Sequence, residues 1–84
     1  MAETVTVELF GSLRRHAEGA ATVTVEAATI RDLLEALRDA YPGLAPQISR
    51  GVSVSIDGKI YTEAMFQPLS AENEVVLLPR IAGG

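Results

Sequence analysis

The residues with the clearest chemical potential stand at the end of the chain, which closes on Gly83 and Gly84 after Pro79. Glycine has no Cβ, so a Gly-Gly end can enter a narrow channel and bring its carboxylate to a nucleotide phosphate. A carboxylate is inert until activated; adenylation makes it a mixed anhydride, which a persulfide or thiol attacks to give a thiocarboxylate or an ester. The dipeptide by itself is also compatible with a frayed end or a truncation.

Composition excludes several other kinds of chemistry. The 84 residues carry a net charge of −4, which is unsuited to nucleic acid, and the length allows one small domain. Without cysteine and with the single histidine His16, the sequence offers no disulfide, thiolate metal site or catalytic triad. The start of the chain lacks a basic segment followed by an apolar one, so we expect a cytoplasmic protein with no membrane partner.

Alternating apolar and polar residues predict the strands that must position this end. Residues 4–9 and 22–27 alternate with a period of two and include many β-branched residues, which is typical of half-buried strands. Residues 52–57 alternate in the same way, and Asp57-Gly58 predicts a tight hairpin to a short strand at 59–61. The final run, Val75 to Leu78, is apolar throughout, as expected of a central strand or of a strand with one face that awaits a partner.

A change of period to that of a helix follows Thr29, which forms a predicted capping box with Asp32. We expect the main helix over about residues 30–41, ended by Pro42-Gly43. A helical turn is expected in residues 12–17, and a loop that holds Pro46 and Gly51 is expected after the main helix. The charged residues of the helix are interpreted as a solvated face on which Glu35 pairs with Arg31 and Arg38. Met65 and Phe66 are predicted to plug the core.

The element order predicts an α+β fold of the β-grasp (ubiquitin-like) type, a mixed sheet of about five strands with one main helix on one face. The last strand is expected beside the first, in parallel, at the sheet centre. Residues 1–79 form the predicted domain and 80–84 a flexible extended tail. Phe10 and Leu78 fall out of phase with the core positions, so both are expected on the helix-free face with Ile60 nearby.

The whole chain resembles the MoaD/ThiS family of ubiquitin-like sulfur carriers, most closely the small subunit of molybdopterin synthase. The segments that carry the resemblance are Val7-Glu8-Leu9-Phe10-Gly11-Ser12-Leu13-Arg14, Val54-Ser55-Ile56-Asp57-Gly58, Pro68-Leu69, Asn73-Glu74-Val75-Val76-Leu77-Leu78-Pro79 and Gly83-Gly84. The first and the last of these segments are specific for the family when they occur together, whereas each alone is only moderately specific. Arg80 stands where the family often has a second proline, and Ala82 where serine or threonine is usual.

The resemblance implies that the Gly84 carboxylate is adenylated by a ubiquitin-activating-like adenylyltransferase that uses ATP, and becomes a thiocarboxylate with sulfur from a donor enzyme. The tail then enters the large subunit of molybdopterin synthase and supplies dithiolene sulfur to precursor Z. The chain is thus expected to be a carrier subunit that binds no cofactor or metal itself and is not an enzyme alone. The partner-binding residues that the resemblance implies are Phe10, Arg14, Ile60, Leu78, Pro79, Arg80, Ile81 and Ala82.

Two other functions stay open on the sequence. The same carrier chemistry could serve another pathway, such as thiamine, cysteine or tRNA thiolation. The chain could also be a noncatalytic β-grasp interaction module whose terminal glycines are idle.

Overall fold

The computed structural model describes residues 3–62 and 64–80. The strands and helices of this part of the chain are β1 (Glu3–Leu9), β2 (Thr22–Ala27), α1 (Ile30–Ala40), α2 (Ala45–Arg50), β3 (Val52–Ile56), β4 (Lys59–Tyr61) and β5 (Val75–Pro79). Two 3₁₀ helices, Gly11–Ala17 and Pro42–Leu44, accompany them. The alternation and the period change therefore predicted the type and the order of the main elements correctly.

The described strands form one mixed sheet in the order β2-β1-β5-β3-β4. β5 lies at its centre, parallel to β1 and antiparallel to β3, which confirms the position predicted for the last apolar run. Val75 and Leu77 of β5 face the core, whereas Val76 and Leu78 are half-buried on the other face, between the side chains of neighbouring strands. The last described strand consequently ends in the middle of the sheet, at Pro79.

Helix α1 packs across one face of the sheet and supplies the fully buried Leu33 and Leu37 to a core shared with β1 and β5. Its N-terminus is capped as predicted: the backbone N–H of Asp32 donates to Thr29 Oγ1 at 3.3 Å, and Asp32 Oδ2 accepts from Ala28 N–H at 3.1 Å. The helix ends one residue before the predicted boundary, at Ala40. On its outer side Arg31 Nε donates to Glu35 Oε2 at 3.3 Å, the expected solvated pair.

The hairpin between β3 and β4 has the predicted two-residue turn. Asp57 and Gly58 both have positive φ angles, 52° and 88°, as a type I′ turn requires. The carboxylate of Asp57 accepts hydrogen bonds from the backbone N–H of Glu74 and from the side-chain amide of Asn73, both at 2.8 Å. These bonds connect the hairpin to the segment that leads into β5. This link fixes β3 and β4 beside the exit strand.

Two predictions were wrong. The segment expected to be a loop after Pro42-Gly43 contains α2, because Pro46 lies in the first turn of that helix, where a missing N–H costs nothing. Met65 and Phe66 are not in the core: they are 43% and 76% exposed. Their segment is held by its backbone, since Arg31 N–H donates to the carbonyl of Met65 at 2.9 Å.

Candidate functional site: the sheet face at the chain exit

The sheet face opposite α1 is divided into a polar and an apolar half. On β1 and β2 it carries threonine and glutamate side chains, which the alternation directs away from the core. On β5 it carries Val76 and Leu78, which lie opposite two serines of β3, Ser55 and Ser53 respectively. Ser55 also lies opposite Ile60 of β4. Since directly opposite residues share a face, these side chains lie together. The apolar half is therefore the half from which the chain leaves.

A shallow hollow of about 380 Å³ lies in this apolar half. Its lining residues are Phe10, Ser53, Ile60, Thr62, Leu78, Pro79 and Arg80, and we call it the sheet-face hollow. It forms because the outward positions of β3 are serines, which are small, whereas the flanking strands present large side chains. Phe10 and Ile60 remain 56% and 60% exposed, although both are large and apolar. Such a surface is typical of a protein-binding site.

Phe10 reaches this face because the strand ends just before it. Its backbone N–H still donates to the carbonyl of Leu77 at 3.0 Å, while the 3₁₀ helix that follows turns the chain away from β5. The prediction that Phe10, Ile60 and Leu78 share the helix-free face is thus confirmed for their positions. Their role in binding a partner stays a prediction.

Arg14 is exposed on the 3₁₀ helix next to this surface. Its Nε donates to the carbonyl of Leu9 at 3.0 Å, which fixes the base of the guanidinium group beside Phe10. Because only Nε is used in that bond, the terminal nitrogens of Arg14 can still engage an acidic partner. The geometry is compatible with the partner-binding role that the resemblance implies.

Pro79 and Arg80 form the last described part of the exit. Arg80 N–H donates to the carbonyl of Gly51 at 3.3 Å, and its side chain lies over Gly51, where an added Cβ would come within 3.3 Å of Arg80 Cδ. Gly51 also has a φ of 114°, so both conformation and space favour glycine there. Arg80 consequently lies at the rim of the sheet-face hollow. Ile81, Ala82, Gly83 and Gly84, the other predicted tail residues, lie outside the described residues.

Sequence reasoning missed the polar residues that shape the hollow. The sequence alone gave Ser53 and Ser55 no role, yet Ser53 forms part of the lining and is 9% exposed. The alternation of β3 already placed both serines on the helix-free face, so a comparison of side-chain sizes across neighbouring strands could have found the hollow. Thr62 also lines it, and gave no signal of its own.

Two further properties concern the described residues alone. No group of three or more histidine, cysteine or acidic residues among them is arranged to hold a metal ion. None of the helices in residues 3–62 and 64–80 is long and apolar enough to cross a membrane.

Comparison with known proteins identifies the class. The model of the ThiS family matches residues 7–84, nearly the whole chain. The chain therefore belongs to the ThiS family. No curated protein sequence matches it significantly.

Solved structures agree with this assignment. Small archaeal modifier protein 1 (SAMP1) from Haloferax volcanii is 30% identical with a TM-score of 0.74, covering 96% of this chain and 99% of that one. A chain of the BexX/CysO complex from Amycolatopsis orientalis is 20% identical with a TM-score of 0.73, covering 95% and 99%. A chain of the complex of subunits 1 and 2 of the molybdopterin-converting factor from Helicobacter pylori 26695 is 20% identical with a TM-score of 0.69, covering 96% and 99%.

The fold and the family together define the kind of protein. It is a ubiquitin-like sulfur carrier with a β-grasp fold. Two of the similar structures were determined as complexes with a second protein.

Proposed function

We propose that this chain is the sulfur-carrying small subunit of a molybdopterin synthase, and that its Gly84 carboxyl group is adenylated and converted to a thiocarboxylate. The observation that carries the proposal is the family match through Gly84 in a chain whose exit strand, β5, ends beside an exposed apolar hollow. The likeness to a chain of the molybdopterin-converting factor complex supports the choice of pathway.

The chemistry needs little from this chain beyond its end. The Gly84 carboxylate attacks the α-phosphorus of ATP on the partner adenylyltransferase, and pyrophosphate leaves. A sulfur nucleophile then attacks the acyl carbon and releases AMP; when the nucleophile is a protein persulfide, a thiol reductant frees the thiocarboxylate from the resulting acyl disulfide. The thiocarboxylate is anionic and nucleophilic at neutral pH, so sulfur transfer to precursor Z requires no base from the carrier.

The domain contributes by positioning the end. Contacts made by Phe10, Ile60 and Leu78 with a partner would hold the domain, so that the residues after Pro79 begin at a fixed point on the enzyme surface. Holding a reacting group at a fixed position replaces a bimolecular encounter by an intramolecular one. Binding energy gained on the sheet face therefore positions the Gly84 carboxylate, which belongs to a residue without a side chain.

Mass spectrometry of the C-terminus tests the proposal. We expect the intact protein, incubated with ATP, the adenylyltransferase and a sulfur donor, to gain the mass of sulfur replacing oxygen. Deletion of Gly84, or extension of the chain by one residue, should abolish this gain because the carboxylate is displaced from the phosphorus. Phe66→Ala, a change remote from the chain end in sequence, should load normally. If enzymes shown to be active with another carrier give no adduct, or give it equally on the extended chain, the proposal fails.

A carrier role in another pathway is the second candidate, and the likeness to SAMP1 and to a chain of the BexX/CysO complex favours it. The two are separated by giving the thiocarboxylated protein to a molybdopterin synthase large subunit with precursor Z. Formation of molybdopterin with loss of the C-terminal sulfur supports the molybdopterin role. Retention of sulfur there, with transfer to a different acceptor, supports the alternative.

A further inference from the structure

The backbone of β4 presents hydrogen-bonding groups at the edge of the sheet that no other described strand uses. β4 is the last strand in the sheet order and pairs with β3, and no other described strand joins it. The two-residue type I′ turn makes Ile56 and Lys59 a hydrogen-bonded pair, so the next pair, Ser55 with Ile60, is a non-hydrogen-bonded one. The N–H and the carbonyl of Ile60 therefore point outward from the sheet.

The side chain of the same residue borders the sheet-face hollow. Ile60 is 60% exposed and lies on the face that carries Leu78 and Phe10. One residue thus offers a backbone donor and acceptor in the plane of the sheet and an apolar surface above it. An extended peptide that adds to a sheet edge uses these two features, main-chain hydrogen bonds for affinity and side-chain contacts for specificity.

The opposite edge of the sheet lacks the second feature. Leu9 N–H donates to the Ala21 carbonyl at 2.8 Å, and by the same alternation the backbone N–H of Thr24 on β2 points outward. The side chains beside it, however, are the exposed Thr22, Thr24 and Glu26. The hollow that Thr22 lines is bordered mainly by polar residues such as Glu8 and Glu72. Thr24 is therefore a matched reference for Ile60, with the same backbone geometry and a polar surface.

The charges around β4 restrict the chemistry of a binding segment. Lys59 precedes Ile60 on the edge strand, with Nζ 5.4 Å from the centre of the Tyr61 ring, and Arg80 borders the hollow. These cations lie in a chain whose net charge is −4. An apolar segment with carboxylates next to it complements this edge better than a basic one.

We propose that an extended segment of the partner adenylyltransferase, apolar with flanking carboxylates, adds to β4 as a further strand and pairs with the backbone of Ile60. An apolar side chain of that segment packs on the exposed flank of Ile60, and the adjoining surface of the partner covers the sheet-face hollow. This inference rests on the proposed function, because every form of that function requires an adenylyltransferase. It adds the mode of docking, which the exposed side chains alone do not determine.

A single-atom change in the backbone tests the strand addition. Replacing the amide that joins Lys59 to Ile60 by an ester in chemically synthesised protein removes the Ile60 N–H and leaves every side chain intact. We expect binding to the purified adenylyltransferase to weaken about tenfold, since one main-chain hydrogen bond is lost. The ester also weakens the Lys59 carbonyl as an acceptor of the Ile56 N–H, so the free energy of unfolding should fall slightly, by about as much as for an ester at an equivalent position on the other edge strand. The matched control is the ester between Val23 and Thr24, which should bind like the unmodified protein.

The outcomes separate this inference from the proposed function. Full binding by the Ile60 ester, with weaker binding by Ile60→Ala, would mean that the partner covers the face without pairing with β4, and would overturn the inference. Equal losses for the Ile60 and Thr24 esters would overturn it too. In both cases the thiocarboxylate could still form, so the proposed function would stand. Strand addition with no sulfur gained at Gly84 would instead sustain the inference and overturn the function.

Discussion

Truncation of Phe10 is the most direct test of the sheet-face hollow as a docking surface. Phe10 is 56% exposed and borders the hollow together with Leu78. If a partner covers this face, the exposed part of the ring loses contact with water on binding. Phe10→Ala should then weaken the complex more than it weakens the fold, and Leu78→Ala should act in the same direction.

The size of the effect follows from the area of the ring that a partner can cover. A phenylalanine buries roughly 200 Å², so the 56% that is exposed corresponds to about 110 Å². At about 25 cal/mol per Å² its complete burial contributes at most about 2.8 kcal/mol. A cost of about 1 to 3 kcal/mol, common for residues at the centre of an interface, raises the dissociation constant by about five- to 150-fold. The buried part of the ring is smaller, so the free energy of unfolding should change less.

Calorimetric titration against the adenylyltransferase and against the large subunit measures binding, and guanidinium unfolding measures stability in the same variants. The matched control is Phe66→Ala, which removes the same ring from a position that is 76% exposed and does not line the hollow. This control should bind with unchanged affinity. Any effect of losing an exposed ring as such should appear in both variants.

Two results would refute the reasoning. Unchanged affinity of Phe10→Ala and Leu78→Ala for both partners would show that the face is not a docking surface. Equal weakening by Phe10→Ala and Phe66→Ala would show that the effect does not arise at the hollow. A loss of binding accompanied by an equal loss of unfolding free energy would assign Phe10 to the core instead.

Two further predictions concern packing and charge. Gly43→Ala should lower the free energy of unfolding by about 1 to 3 kcal/mol, because the added Cβ would lie 2.7 Å from the backbone oxygen of His16. The control is Gly11→Ala, whose added Cβ would meet nothing within 4 Å. Equal midpoints of the two variants in denaturant would contradict the packing argument. Arg14→Glu should slow adenylation by reversing the charge beside Phe10, whereas Arg15→Glu, a neighbouring exposed arginine, should have a smaller effect. An unchanged rate with unchanged salt dependence would make Arg14 a solvated surface residue.

Local patterns were sufficient for most of the fold. Each strand and helix buries one side against the core, and the spacing of its apolar residues shows which side that is. This applies to the alternation in β1, β2 and β3 and to the period of α1. The same holds for the turn at Asp57-Gly58, which needs two residues with positive φ. The unbroken apolar run of β5 indicated a central strand, although only Val75 and Leu77 face the core and Val76 and Leu78 are half-buried on the helix-free face.

Local patterns failed where a residue's type did not determine its surroundings. Pro46 was interpreted as part of a loop, yet a proline in the first turn of a helix is favourable, and α2 begins there. Met65 and Phe66 are apolar enough for the core, but the core is already filled by residues such as Leu33 and Leu77, which are fully buried. The backbone bonds of their segment to α1 leave both side chains at the surface.

The sequence by itself predicted the elements that lead to the chain end, and the chemistry proposed for that end rests on it. The Gly83-Gly84 end, the family pattern and the phase of Phe10 and Leu78 are all properties of residue order. Only the tertiary structure decided that strands distant in sequence bring large side chains around two small serines of β3, and that Ile60 turns its free backbone groups toward an open edge. The physical reason is that a hollow and an edge are formed between strands, and depend on their pairing and register, which residue order within one strand does not specify.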